Sequence, residues 1–262
     1  MEHALFGTKH LILIAVSLIV VAVGYFFARK LKFKTATRIM LYIGITSEII
    51  KIFYYIVQNE EKYGGILPKS DLPFQLCSIQ IIFILVLNLT KNERVRRFLT
   101  SFMMPSCLVG GLAALLIATH SSRNGMWILT LQYFGYHVAI MIYSLYLLTN
   151  KKTRPTLEGY FDTLKMLLCL MFFSIYINSM MYDGTSDFNF MYVAKPPMDG
   201  LPYLNDDDGW LPYIIRYGVL VLGTVTLFYI KPILLEVKSR LTKKAEKKEE
   251  KEAKEETLSA PK

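Results

Sequence analysis

The chain has 262 residues, of which 53% are hydrophobic, and its formal net charge is +9. A mean hydropathy of +0.35 is typical of a membrane protein. No basic stretch is interleaved with aromatic residues outside the membrane, which argues against a nucleic-acid partner. The three cysteines fall inside apolar runs, which argues against a disulfide framework or a Cys-rich metal site. The sequence contains no Walker loop, H-E-x-x-H, G-x-S-x-G or G-x-G-x-x-G motif, and we expect no cofactor and no metal.

Seven apolar runs, each about as long as a bilayer is thick, follow one another along the chain. A helix needs about 20 mostly apolar residues to cross the hydrocarbon core. A soluble all-α protein with long core helices would show polar outer stripes, which most of these runs lack. The sequence therefore predicts an all-α fold, a polytopic bundle of seven transmembrane helices. The runs are residues 11–28, 39–57, 72–89, 98–119, 126–148, 160–181 and 211–235.

Basic residues alternate between the two sides of the predicted bundle. Lys and Arg are concentrated in residues 29–38, 91–97 and 151–154 and after the last span, whereas the other connections carry few of them. Such a bias marks the cytoplasmic side of a membrane protein. The sequence predicts a multi-pass protein of the cell membrane with its N-terminus outside and its C-terminus in the cytoplasm. Membrane lipids are the expected partners, with anionic headgroups at the cytoplasmic face.

The chain is predicted to form one membrane domain followed by a tail. Residues 1–237 form the seven-helix domain, and residues 238–262 are rich in Lys and Glu, which predicts a disordered or weakly helical cytoplasmic tail. Two outer segments, 58–71 and 182–209, are longer than the other connections. Loops of the second length are often lids or ligand caps. A solvated connector is the alternative.

Polar residues inside the spans are the first candidates for function, because an ionisable side chain costs about 2.5–3.5 kcal/mol in a bilayer. The second span carries Glu48 and Lys51 at i,i+3, so the two side chains share a helical face and can pair with each other. The fifth span carries His137, with Tyr133 and Ser144 on the same face. These residues predict a polar stripe in an otherwise apolar bundle.

The third span begins with Ser70, Asp71 and Pro73, which predict a capped helix start with proline in the first turn. Further polar residues follow in this span and at the end of the sixth: Gln75, Cys77, Ser78, Gln80 and Asn178.

The depths of these residues can be compared through the helical rise. Cys77 and Asn178 lie in the outer third of the membrane at about 1.5 Å per residue. Glu48 and His137 lie roughly 15 Å from the outer boundary by the same measure, and Lys51 lies between. We expect these side chains to surround one polar cavity that opens to the outside.

Cys77 and His137 are the one Cys/His pair in the outer half of the predicted membrane domain. A thiol becomes a nucleophile only as the thiolate, and a nearby imidazole is its usual activator. Their predicted depths differ by about 9 Å, which counts against a direct contact. The alternatives are a cysteine that acts as a small hydrophobe and a histidine that serves packing.

Three short motifs follow one another along the predicted membrane domain. They are Leu-Pro-Phe-Gln-Leu-Cys-Ser-Ile at 72–79, Tyr-Phe-Gly-Tyr-His at 133–137, and Asn-Phe-Met-Tyr at 189–192 before Lys-Pro-Pro at 195–197. The sequence resembles the YwaF-type family of bacterial integral membrane proteins. In that family an L-P-x-H-L-C-like element opens a helix, an aromatic-rich element ends in His, and an N-Y-M-like element precedes a proline.

The YwaF-type family is similar to a eukaryotic transmembrane acyltransferase that acts on ether phospholipids through a membrane Cys/His pair. The resemblance implies that Cys77 is the catalytic cysteine and His137 the catalytic histidine. Gln75 stands where the family motif has His, which removes a second base or ligand. In such an enzyme, Asn178 or Gln75 would donate to the oxyanion, and Asn189 of the third motif is an expected binding or support residue.

Three functional hypotheses follow. The first is a phospholipid acyltransferase or hydrolase in which Cys77 attacks an acyl ester and His137 acts as general base and then general acid. The second is a transporter or small-ligand receptor in which Glu48, Lys51 and His137 form a pH-sensitive site capped by residues 182–209. The third is a structural or assembly partner without chemistry, in which these side chains affect only stability.

Overall fold

The structure is a computed structural model and describes residues 5–58, 67–118, 127–184, 189–198, 200–201 and 203–243. These residues are helical or irregular and include no strand. Seven of the described helices lie in segments long and apolar enough to cross a membrane, which confirms the predicted fold class. They are α1 (Thr8–Ala28), α2 (Phe33–Phe53), α3 (Leu76–Leu89), α4 (Glu93–Leu116), α5 (Trp127–Thr149), α6 (Leu157–Met181) and α7 (Trp210–Phe228).

The helices α4 and α5 form the centre of the bundle. The apolar stretch of α4 is 61% buried and that of α5 is 50% buried, against 11% for α1, α6 and α7. Helix α5 packs against α1, α2 and α4, and α4 also packs against α3 and α6. The peripheral helices turn exposed apolar side chains such as Ile19, Phe27 and Phe172 outward. Within a membrane, these outward faces contact lipid.

A glycine allows α4 to approach α5 closely. A Cβ atom added at Gly111 would lie 2.5 Å from Met141 Cγ and 3.1 Å from the backbone oxygen of His137. The neighbouring Gly110 faces α3, where an added Cβ would lie 3.7 Å from Leu76 Cδ2. The second distance is an ordinary van der Waals contact. Of these two neighbouring positions, 111 is therefore the one that requires glycine for packing.

We expect Gly111→Ala to lower the free energy of unfolding by about 1–3 kcal/mol, because the added methyl group overpacks the interface of α4 and α5. Gly110→Ala is the matched control and should be neutral or slightly stabilising, because alanine is the better helix former. Thermal unfolding midpoints in detergent compare the two variants with wild type. Equal midpoints for the two variants would contradict this account of the interface.

Helices α2 and α4 begin six and five residues earlier than the hydropathy predicts. Helix α2 begins at Phe33 and α4 at Glu93, so basic residues predicted to lie in loops occupy the first turns of these helices. Asn92 sets the start of α4, because its Oδ1 accepts the backbone N–H groups of Arg94 at 2.9 Å and Val95 at 3.3 Å. The end of the bundle where α2 and α4 begin and α3 and α5 end is called the basic end below.

Helix α3 begins later than predicted. A 3-10 turn covers Lys69–Asp71, Leu72 is extended as expected before a proline, and the cap is Gln75 rather than Ser70 or Asp71. With 14 residues, α3 is about 21 Å long, which is shorter than the hydrocarbon core. Residues 69–75 therefore occupy the part of the span that the helix does not reach.

The last transmembrane helix is interrupted near its predicted end. Helix α7 ends at Phe228, Tyr229 forms a turn, and residues 230–243 are helical again. Pro232 explains the break, because it has no N–H to donate to the Phe228 carbonyl and its ring would clash there. The predicted boundary between domain and tail stays a prediction. Residues 244–262 of the tail, and parts of both long outer segments, lie outside the described residues.

Candidate functional site

Cys77 is the second residue of α3 and is partly exposed. The first intrahelical hydrogen bond of α3 runs from the Ile79 N–H to the Gln75 carbonyl at 3.1 Å. Within the described part of the chain, the N–H groups of Leu76 and Ser78 have no hydrogen-bond partner, and the Cys77 N–H faces its own sulfur. The thiol thus lies at the positive end of a helix dipole, an environment that favours an anion.

His137 is buried in α5 with one ring nitrogen engaged. Its Nδ1 lies 2.7 Å from the Tyr133 carbonyl oxygen, and its ring centroid lies 4.3 Å from that of Tyr133. A carbonyl can only accept a hydrogen bond, so Nδ1 carries the proton and Nε2 carries a lone pair. The imidazole therefore has the tautomer that a general base requires.

Tyr136 connects the two candidate catalytic residues. Its hydroxyl donates to the Cys77 carbonyl at 2.7 Å, and His137 is the next residue of α5. Cys77 and His137 each lie 12 residues before the last residue of their helix, and both helices end at the basic end. Counted from that end, the helical rise gives the two residues similar depths, rather than depths about 9 Å apart. No hydrogen bond joins the Cys77 thiol to the His137 ring among the described residues.

Glu48 and Lys51 form a separate polar group on α2. Lys51 Nζ lies 2.8 Å from Glu48 Oε2, and the two side chains are only 12% and 21% exposed. The Ser78 hydroxyl lies 3.5 Å from Glu48 Oε1. The carboxylate of Asp71 accepts a hydrogen bond from Tyr55 and lies within electrostatic range of Lys51. No described hydrogen bond or ion pair connects this group to the His137 ring.

Gln75 holds the backbone of residues 189–195, called the outer segment below. Its Nε2 donates to the Asn189 carbonyl at 3.2 Å, and its Oε1 accepts the Met191 N–H at 2.9 Å. Position 75 is the one where the YwaF-type motif has His. The Gln75 side chain there binds backbone groups through both of its polar atoms.

The other two predicted amides also bind backbone in the outer segment. Asn178 donates to the Phe190 carbonyl at 3.2 Å and accepts the Phe190 N–H at 2.9 Å. Asn189 donates to the Lys195 carbonyl at 2.6 Å and accepts the Ala194 N–H at 3.1 Å. These contacts give both residues a supporting role, and the amide N–H that each commits to a carbonyl is not free for an oxyanion.

Aromatic side chains of α7 bind further backbone carbonyls of the outer segment. They were not singled out from the sequence. Trp210 Nε1 donates to the Val193 carbonyl and Tyr217 to the Met191 carbonyl, each at 2.9 Å. The Tyr213 hydroxyl lies within hydrogen-bond distance of the carbonyls of Tyr192 and Lys195, which share its single proton. Their spacing places the three side chains on one face of α7, and this pattern could have indicated a shared role. Met191 and Tyr192 have φ values of 56° and 54°, which strain the backbone. The hydrogen bonds from α7 stabilise this conformation.

Tyr192 brings a further hydroxyl to the site. Its side chain lies within electrostatic range of Cys77, and burial raises the pKa of Tyr192. The phenol therefore stays protonated at neutral pH and remains a hydrogen-bond donor. Among the described residues, no group of three or more His, Cys, Asp or Glu side chains could hold a metal ion.

Comparison with known proteins places the chain in a family. The family model of the TMEM164 family matches residues 5–229, which include all seven helices described above. No curated protein and no solved structure matches the chain. The match covers far more than half of the sequence and agrees with the multi-pass architecture. The chain belongs to the TMEM164 family of membrane proteins.

Proposed function

We propose that this TMEM164-family protein is a lipid acyltransferase or hydrolase with Cys77 as nucleophile and His137 as general base. The main support is the 2.7 Å hydrogen bond from Tyr136 to the Cys77 carbonyl, because it joins the cysteine motif to the histidine motif at one depth. The resemblance to the YwaF-type family, and through it to an ether-phospholipid acyltransferase, supplies the reaction class.

In the first step, His137 Nε2 takes the proton of the Cys77 thiol, and the thiolate attacks the carbonyl carbon of a phospholipid ester. The tetrahedral oxyanion is stabilised by the N–H groups at the start of α3 and by the Tyr192 hydroxyl. The carbon–oxygen bond of the ester breaks, and the imidazolium returns its proton to the departing lysophospholipid oxygen. A thioester on Cys77 remains.

In the second step, His137 takes a proton from the hydroxyl of an acceptor lipid or of water. The acceptor oxygen attacks the thioester, the carbon–sulfur bond breaks, and the proton returns to the Cys77 sulfur. A lipid acceptor gives acyl transfer, and water gives hydrolysis. Catalytic hydrogen bonds often close only when substrate is bound, which accounts for the absence of a direct Cys77–His137 bond among the described residues.

The proposed membrane placement follows the charge pattern of the loops. With the basic end in the cytoplasm, α3 begins on the outer side and Cys77 acts in the outer half of the membrane. The ester would then come from lipid of the cell membrane.

The experiment is to trap the acyl-enzyme. Purified protein is incubated with phospholipid labelled in its acyl chain, and peptides are examined by mass spectrometry for a thioester at Cys77. We expect acylation at this position that is sensitive to hydroxylamine and is absent from Cys77→Ala. The matched control is Cys169→Ala, an exposed cysteine on α6, which should acylate like wild type. Only free thiol at Cys77 under trapping conditions would overturn the covalent mechanism.

A second candidate is a transporter or small-ligand receptor whose site contains Glu48 and Lys51. Its support is that Asp71 lies within electrostatic range of this ion pair, so three charged side chains lie together. His137 would join this site only through a ligand, because no described contact links it to the pair. The two candidates differ in a complementation assay. If Cys77→Ala fully rescues a deletion strain while Glu48→Gln does not, ligand binding replaces thiol catalysis.

A further inference from the structure

A cavity of about 340 Å³ opens at the basic end of the bundle, away from the site above. It is lined by Phe33 at the start of α2, by Arg94, Arg96 and Arg97 in the first turns of α4, and by Lys152 between α5 and α6. Pockets for small ligands begin at about 300 Å³. The size therefore suits a polar headgroup and not a whole lipid.

The lining is strongly basic and only partly neutralised. Four cationic side chains face the cavity against the single carboxylate of Glu93. Arg96 pairs with Glu93, and Arg97 pairs with Glu158. Arg94 and Lys152 make no side-chain hydrogen bond or ion pair with another described residue. An anion in the cavity would thus meet two uncommitted positive charges.

Arg96 adds a donor without an acceptor. Its guanidinium carbon lies 5.6 Å from the centroid of the Phe33 ring, which fixes the side chain by a cation–π contact. Its Nε is buried and has no hydrogen-bond partner in the described part of the chain. A buried donor left unsatisfied is costly, so a small shift of this side chain toward a bound oxygen would relieve that cost.

We propose that this cavity binds the phosphate group of an anionic glycerophospholipid from the leaflet at the basic end. Guanidinium groups match phosphate oxygens in geometry and charge, and basic pockets between transmembrane helices at such a boundary recognise anionic headgroups. The acyl chains of a lipid hold its phosphate at the level where the helices end. A soluble phosphate has no such anchor. The site is independent of the proposed acyl transfer.

The test uses full-length protein in detergent with added phosphatidylglycerol, with bound lipid measured by native mass spectrometry. Arg94→Gln/Lys152→Gln should weaken phosphatidylglycerol binding by about tenfold, because each cation near the membrane surface contributes to anion binding. Lys34→Gln/Arg38→Gln is the matched control, because it removes the same charges from exposed positions of α2 outside the cavity. It should change the affinity less than twofold. If the first double variant fails to fold, Arg96→Gln alone takes its place.

Three results would overturn the assignment. Equal losses in the cavity variant and the control would mean that headgroups respond only to overall charge. No loss in either variant would mean that Arg94 and Lys152 do not bind the headgroup. If glycerol 3-phosphate binds as tightly as phosphatidylglycerol with the same dependence on Arg94 and Lys152, the cavity takes a soluble phosphate compound and not a lipid.

Discussion

His137→Asn should slow acylation of Cys77 by about 10²–10⁴-fold, which is the usual contribution of a positioned general base. The asparagine amide can place an N–H where Nδ1 lies and so keep the hydrogen bond to the Tyr133 carbonyl, 2.7 Å away in the wild type. The variant then lacks the lone pair of Nε2, together with the ring that contacts Tyr133. The measurement is the rate at which labelled acyl group appears on Cys77 in a rapid-quench series.

A second histidine buried in the bundle provides the control. His10 Nε2 lies 2.9 Å from the Leu115 carbonyl oxygen, and its Nδ1 accepts the Phe6 N–H at 3.0 Å. His10→Asn removes a histidine of similar burial that makes no hydrogen bond to Cys77. Its acylation rate per folded molecule should stay within about twofold of wild type. Wild-type acylation in His137→Asn would rule out His137 as the base.

Lys51→Met should lower the free energy of unfolding by about 3–5 kcal/mol, the cost of leaving one member of a buried ion pair without its partner. Glu48 would keep its charge while losing the ammonium group 2.8 Å from its Oε2. Glu48→Gln/Lys51→Met should recover most of the loss, because a neutral pair leaves no uncompensated charge. Thermal and denaturant unfolding in detergent measure all three variants.

The double variant separates two roles of this pair. Recovery would identify the pair as a structural one that stabilises the packing of α2 against α3. If the single variants are as stable as wild type, the charges face water or a ligand, and Glu48 becomes the leading residue of the second candidate function.

The transmembrane helices could be predicted because hydropathy alone determines them. Their ends could not, because local hydrogen bonding overrides hydropathy there. Asn92 starts α4 among charged residues, Pro232 breaks an apolar run after Phe228, and α3 starts late at Leu76.

Part of the candidate site could be proposed from the sequence. Residue type and motif single out Cys77 and His137 as candidates, and their catalytic roles stay predictions. The tautomer of His137 depends on a carbonyl four residues earlier in its helix. The roles of Gln75 and Asn178 could not be predicted, because their partners are backbone groups more than ten residues away in the outer segment. Orientation in the membrane and the reaction itself stay predictions.

The outer segment has a consequence for cooperativity. Side chains from three helices, α3, α6 and α7, hold its backbone at Phe190, Met191, Tyr192 and Lys195. Opening it would break contacts with all of them together, so this segment and the nearby helix ends behave as one unfolding unit. These hydrogen bonds to several helices distinguish the segment from a loop that is held only at a hinge. In the proposed reaction, a lipid ester would then reach Cys77 between helices, from within the membrane.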